Sequence, residues 1–151
     1  MNTQRILTIK IGKQIFGIKI EQVKEIVRRG EILEKQKLPP QVLGIVSFRG
    51  INIPLVNLAF QLNLTDEKKP KGKKNFLLSE IKGISLGFLI DGAGEILEVS
   101  EEKIKLLPPL ILNKRNSSCL SAILQTEERL IIILNLEGIL SERELKKLVH
   151  H

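Results

Sequence analysis

Few side chains in this sequence are equipped for covalent or acid–base chemistry. The two histidines are His150 and His151, at the end of the chain, so no imidazole is expected to shuttle protons or accept a phosphoryl group. The only aspartates are Asp66 and Asp91. A phosphate-accepting carboxylate needs further acids gathered around a divalent cation, and these two stand apart. Cys119 is the one cysteine. It cannot form an internal disulfide, which fits a reducing compartment. With no histidine near it in sequence, it is expected to be a small packed side chain and not a nucleophile. No Cys/His spacing suits zinc, and no glycine pattern suits a nucleotide phosphate. Asp91-Gly92-Ala93-Gly94 fits a turn at a strand end. Glu25 and Glu95 could be imagined as an acid and base pair, but they stand 70 residues apart and a repeat at that offset accounts for both. The chain is therefore expected to act by contact, not as an enzyme, with no metal and no cofactor.

That repeat is the strongest organising signal. Leu7–Val27 aligns with Leu77–Leu97 without a gap, and six positions are identical: Leu7/Leu77, Ile11/Ile81, Gly17/Gly87, Ile20/Ile90, Glu25/Glu95 and Ile26/Ile96. Downstream, Leu38-Pro39-Pro40 recurs as Leu107-Pro108-Pro109, and Ile53–Leu58 recurs as Ile131–Leu136. Two copies are too few for a solenoid. Residues 1–149 are expected to form one domain of two similar subdomains, with copies about 7–58 and 77–136, and His150-His151 are set aside as a candidate tag remnant.

The elements that carry these residues alternate with period two. Leu7, Ile9 and Ile11, a turn at Gly12-Lys13-Gln14, then Ile18 and Ile20 spell a hairpin with one buried face. Val42–Phe48 and Ile51–Val56 spell another around Arg49-Gly50. The second copy repeats this with Phe76–Ile81 and Ile84–Ile90, then Leu120–Gln125 and Leu130–Leu134. Short strands and tight turns predict a mainly all-β fold of small barrels, about five strands per copy. Helices are few. Asn57 and Asn135 are placed as N-caps. Ser141 and Glu144 have capping-box spacing and open a C-terminal helix with Leu145, Leu148 and Val149 on one face.

The chain carries 24 Lys and Arg against 17 Asp and Glu, a formal charge of +7. Thr65–Asn75 alone holds five lysines and two acids. Pro70 and Gly72 mark it as a solvated loop between the copies. A nucleic-acid patch is the alternative, but the stretch has no aromatic side chain on which bases could stack. Met1–Ile11 has no continuous apolar core of a signal peptide, and the longest unbroken aliphatic run, Leu130–Leu134, is too short to span a membrane. A cytoplasmic protein without membrane insertion is expected.

Positions that differ between the copies are better places to look for function. The late hairpin turn is Ser47-Phe48-Arg49-Gly50 in the first copy and Thr126-Glu127-Glu128-Arg129 in the second. An Arg-Gly tip could recognise a partner carboxylate. It could equally be spent on an internal ion pair, for example with Glu25. Spacing alone leaves both open.

These residues carry a family resemblance. Phe16–Ile20, the segment Val23-Lys24-Glu25-Ile26, the stretch Gly44–Leu58, the segment Ile90–Ile96 and the run Ile104–Pro108 resemble, in order and spacing, the motifs of CheW, the chemotaxis coupling family. The family's signature G-V-x-N-x-R-G-x-x-x-P-x-x-D-L is similar to Gly44–Leu58, with Ser47 in place of its Asn and Asn57 in place of its Asp. The resemblance implies two intertwined five-stranded SH3-like barrels with short helices and a C-terminal helix. It implies a non-enzymatic adaptor between the cytoplasmic tips of methyl-accepting chemoreceptors and the CheW-like regulatory domain of the histidine kinase CheA, recruited to receptor arrays at the inner face of the membrane. Carried onto this chain, the receptor site falls on Ile20, Val23, Glu25, Ile26, Gly44, Arg49 and Gly50. The kinase site falls on Ile84, Leu86, Leu89, Ile96 and Val99. A basic SH3-like barrel that binds RNA is the competing expectation.

Overall fold

The computed structural model describes residues 2–33, 38–64, 73–107 and 120–149, Val149 through its backbone alone. Cys119, His150, His151, Pro108-Pro109 and most of the lysine-rich stretch lie outside the described residues, so the expectations placed on them stay untested. Eleven strands and two helices are described: β1 Thr3–Ile11, β2 Gln14–Lys19, β3 Glu25–Glu31, β4 Val42–Phe48, β5 Ile51–Val56, α1 Leu58–Gln61, β6 Lys73–Ile81, β7 Ile84–Ile90, β8 Gly92–Ser100, β9 Ile104–Leu106, β10 Leu120–Gln125, β11 Leu130–Leu134 and α2 Glu142–Val149. All four hairpins expected from the alternation are present, as β1–β2, β4–β5, β6–β7 and β10–β11.

The strands form two curled sheets in the manner of SH3-like barrels. Their orders are β8-β1-β2-β11-β10-β9 and β3-β6-β7-β5-β4. Each copy's first hairpin therefore sits in the sheet built from the other copy's later strands. Two parallel seams, β2 with β11 and β5 with β7, tie the exchanged hairpins in place. The first sheet gains a sixth strand because Ile104–Leu106 pairs with β10. In the second sheet the only pairing described beyond β3 is the bridge Leu33 to Ile45.

This exchange changes the burial expected from period two. In the middle of β1, Ile6, Leu7, Thr8 and Ile9 are all buried, and in β6 so are Phe76, Leu77, Leu78 and Ser79. Alternate residues enter different cores. Ile6 packs with Ala122, Leu124, Ile131 and Ile133 inside the first barrel. Phe76 and Leu78 pack with Val46, Ile53 and Leu55 inside the second. Leu7, Ile9, Leu77 and Phe88 meet in a third cluster that also takes in Leu145 and Leu148 of α2. Both hairpins thus have two buried faces, not one, because each is shared by a barrel interior and the seam between barrels. Burying one such aliphatic side chain contributes about 1.5–3 kcal/mol. The two polar intruders are satisfied: the Thr8 hydroxyl donates to the Glu95 carbonyl at 2.9 Å, and the Ser79 hydroxyl donates to the Gln22 carbonyl.

The caps form as the sequence suggests. Asn57 Oδ1 accepts from the Phe60 amide at 3.2 Å. Asn135 Oδ1 accepts from the Glu137 amide at 3.1 Å, although the segment after it is only a 3-10 turn, Leu136–Gly138. At α2, the Ser141 amide donates to the Glu144 carboxylate (2.9 Å) and the Glu144 amide donates to the Ser141 hydroxyl (3.1 Å), a reciprocal capping box. None of the described helices is long and apolar enough to cross a membrane.

Candidate functional site

β4 and β5 are joined through Arg49 and Gly50, with φ of +51° and +79°. Two successive positive φ values give the turn whose twist matches a two-residue hairpin. The turn carries the Arg49 guanidinium over the Phe48 ring, 4.9 Å from its centroid. One guanidinium nitrogen lies 3.9 Å from a Glu25 carboxylate oxygen, and the Arg49 side chain stays 77% exposed. An exposed ion pair of that length contributes no more than about 1 kcal/mol. The internal ion pair is therefore present but long, and among the described residues most of the guanidinium's hydrogen-bonding capacity is unspent.

The first barrel behaves differently. There Arg129 donates to the Glu95 carboxylate at 3.1 Å and is half as exposed, at 39%. The match of Ile53–Leu58 to Ile131–Leu136 places Arg129 where the first copy has Ile51, and Glu127-Glu128 where it has Arg49-Gly50. The paired acids Glu25 and Glu95 are thus equivalent clamps, one closed and one loose.

Beside Arg49 an open groove of about 370 Å³ runs between the β4–β5 turn and strands β3, β6 and β7. Its floor is Ile53, Leu78 and Ser79, all buried. Phe48 and Ile51 form one wall, and Ile51 is 58% exposed. Glu25, Arg49 and Lys24 stand at the rim, with Lys24 already paired to Glu80. An apolar trough rimmed by a guanidinium that holds only one long ion pair among the described residues suits a helical or extended segment that brings an apolar side chain and a carboxylate or amide.

Of the receptor residues expected from sequence, the structure brings together Glu25, Arg49 and Gly50. Ile20, Val23 and Ile26 lie on the adjoining segment, half-buried against the cluster between the barrels. Gly44 needs correction as a contact residue. It is buried in the middle of β4, and a Cβ there would stand 2.6 Å from the Leu33 carbonyl oxygen and 2.9 Å from Ile32 Cγ2. Its role is to let two backbones close. Gly44→Ala is accordingly expected to lower stability by about 1–3 kcal/mol, the usual penalty of overpacking, in a urea melt, without weakening partner binding by the protein that remains folded.

The kinase residues expected from sequence are not brought together. Ile84, Leu86 and Leu89 lie on β7, the middle strand of the second sheet, and Ile96 and Val99 lie on β8, the edge of the first. Leu86 is 1% exposed and packs in the core, so it offers a partner nothing. Ile84, Leu89 and Val99 are half-buried. Ile96, at 55% exposure, is the member with real surface. Sequence reasoning missed Phe48 and Ile51 at the groove. Ile51 shares the inward parity of Ile53 and Leu55, but it stands at the turn end of β5, where it stays exposed. Among the described residues, no three His, Cys, Asp or Glu side chains gather to hold a metal ion.

Residues 5–144 match the model of the CheW-like domain. The chain is 26% identical to the chemotaxis protein CheW of Treponema pallidum over 97% of its own length and 87% of that protein's. It is 26% identical to the chemotaxis protein CheW of Thermotoga maritima over 94% of its length and 91% of that protein's. The fold is similar to that of the scaffolding protein TtCheW from Thermoanaerobacter tengcongensis, with a TM-score of 0.80 and 24% identity, covering 91% of this chain and 92% of that one.

Proposed function

The chain belongs to the CheW-like family, and we propose that it is a chemotaxis adaptor that couples methyl-accepting chemoreceptors to the histidine kinase CheA. The observation that carries this is the open apolar groove beneath an Arg49 guanidinium that holds only one long ion pair among the described residues. The receptor tip, a helix, lays an apolar side chain between Ile51 and Phe48. Arg49 then fixes its orientation by bidentate hydrogen bonding, with Glu25 and Gly50 beside it. Ile20, Val23 and Ile26 support the far side of that contact. The kinase's CheW-like domain docks elsewhere, on the barrel edge that carries Ile96. Such an adaptor needs no chemistry and no cofactor: holding two partners at once raises their effective concentration and sets their geometry. It works in the cytoplasm, at receptor arrays on the inner face of the membrane.

The RNA-binding alternative has charge alone in its favour. Phe16, Phe76 and Phe88 are buried, which leaves only the half-buried Phe48 and Phe60 with any ring surface, too few for a run of stacked bases. A nuclease-treated pulldown from the native host, read by mass spectrometry, separates the two. Recovery of a histidine kinase and methyl-accepting receptors is expected. Their absence, with RNA retained when nuclease is omitted, would overturn the adaptor role.

A further inference from the structure

The chain passes between its two sheets at two equivalent places, and the two crossings are built differently. After β7 it crosses directly through Asp91, whose carboxylate accepts from the Gly12 amide. After β2 it crosses through a 3-10 turn, Ile20–Gln22, immediately before the groove segment that carries Glu25. Gln22 ends that turn and is bonded on three sides. Its Nε2 donates to Asn135 Oδ1 at 3.0 Å. Its Oε1 accepts from the Leu136 amide at 3.1 Å. Its carbonyl accepts from the hydroxyl of Ser79, a residue of the groove floor. In the repeat, the equivalent of Gln22 is Gly92, which has no side chain to do this.

We infer that Gln22 is a positioning residue that locks the groove segment of the second barrel to the 3-10 turn that follows β11 in the first. The inference rests on the adaptor role proposed above. Both ends of the Gln22 amide are bonded just past the end of the β2–β11 seam of the first sheet, while its carbonyl takes the Ser79 hydroxyl of the second sheet, so this one residue is held to both barrels at the crossing. Beyond it, the Val23 amide closes the turn on Ile20 (3.0 Å) and the Lys24 amide bonds to the Leu78 carbonyl (2.8 Å). A fixed Gln22 therefore fixes where β3 begins, and with it the Glu25 side of the groove. Partner occupancy of the groove and docking of the two barrels become one equilibrium.

The test uses the full chain and a purified cytoplasmic tip fragment of a chemoreceptor from the same host. Gln22→Met keeps the side-chain length and removes both side-chain bonds. Asn135 employs only its oxygen, so Asn135→Asp retains the acceptor for Gln22 and for Glu137. Gln22→Met is expected to bind the receptor fragment about tenfold more weakly, within the usual range of coupling between sites. It should bind the kinase regulatory domain as the parent does, and exchange its Val23 and Lys24 amides faster. Asn135→Asp should stay within about twofold of the parent for both partners, since no coupled bond is lost. A folded Gln22→Met protein that binds the receptor fragment like the parent overturns the inference and leaves the adaptor role intact. Equal losses toward receptor and kinase, tracking a lowered Tm, also overturn it, because they mark a merely structural glutamine. If the parent itself binds no receptor fragment, the adaptor role fails and this inference with it.

Discussion

Cut within residues 65–72, the chain is expected to give two fragments that are unfolded alone and fold when mixed. Nine strand ladders are described, and four of them join strands from opposite halves: β1 with β8, β2 with β11, β3 with β6, and β5 with β7. The N-terminal fragment keeps the hairpins β1–β2 and β4–β5 and the single bridge Leu33 to Ile45, with β3 unpaired. The C-terminal fragment keeps β6–β7 and the β9–β10–β11 meander, with β8 unpaired. Isolated hairpins are marginal in water, and each fragment loses the partner that covers its apolar face. The cluster uniting Leu7, Ile9 and Phe16 with Leu77, Leu86 and Phe88 cannot form from either fragment. Circular dichroism and amide proton dispersion check this directly. A fragment that is dispersed and melts cooperatively on its own would mean that each copy closes its own barrel. It would also remove the basis for treating residues 1–149 as one domain.

The same exchange marks the boundary of what the sequence tells. Period-two alternation and turn residues exposed all four hairpins, because those signals are local and the chain obeys them locally. Capping was equally local, and Asn57 and Ser141 act as their types suggest. The parallel seams were hidden. Phe16 lies beside Ile132, and Leu55 beside Gly87, and nothing within a few residues of any of them records such a neighbour. One hint was present: Phe76-Leu77-Leu78 is apolar without alternation, as a strand buried on both faces should be. Gly17 and its repeat Gly87 are both closely packed, since an added Cβ would stand 2.6 Å from Ile6 Cγ2 at Gly17 and 3.2 Å from Leu55 Cδ1 at Gly87.

The candidate site was legible as a turn and illegible as a groove. Arg49-Gly50 drew attention because the copies differ there. Whether the guanidinium was spent on Glu25 depends on a distance, and only the structure supplies it. Leu86 looked like any apolar strand residue, and its side chain faces the central cluster, out of reach of a partner. Gly44 sat inside the family signature beside Arg49, yet its reason is the Leu33 carbonyl behind it. Signature residues therefore divide into those that shape the hairpin and those that face outward, and exposure tells them apart.

Arg49→Glu is expected to weaken binding of a chemoreceptor tip fragment by about thirtyfold or more, the loss of about 2 kcal/mol that a central arginine anchor carries. The fold should survive. The side chain is 77% exposed and its link to Glu25 is 3.9 Å long, so the stability cost is confined to the contact with the Phe48 ring and a new repulsion with Glu25, about 1 kcal/mol together. The backbone strain at φ +51° is present with either residue and does not change. Arg129→Glu is the matching control. It breaks a shorter bond, to Glu95, and so should cost at least as much stability, yet receptor binding should hold because Arg129 lies on the other barrel. A folded Arg49→Glu protein that binds receptor within about twofold of the parent would sink the assignment of Arg49. If both variants lose binding in proportion to their Tm, arginine at the turn serves the barrel and not the partner. Loss confined to Arg49→Glu means that duplication left one barrel its clamp and freed the equivalent end of the other for recognition.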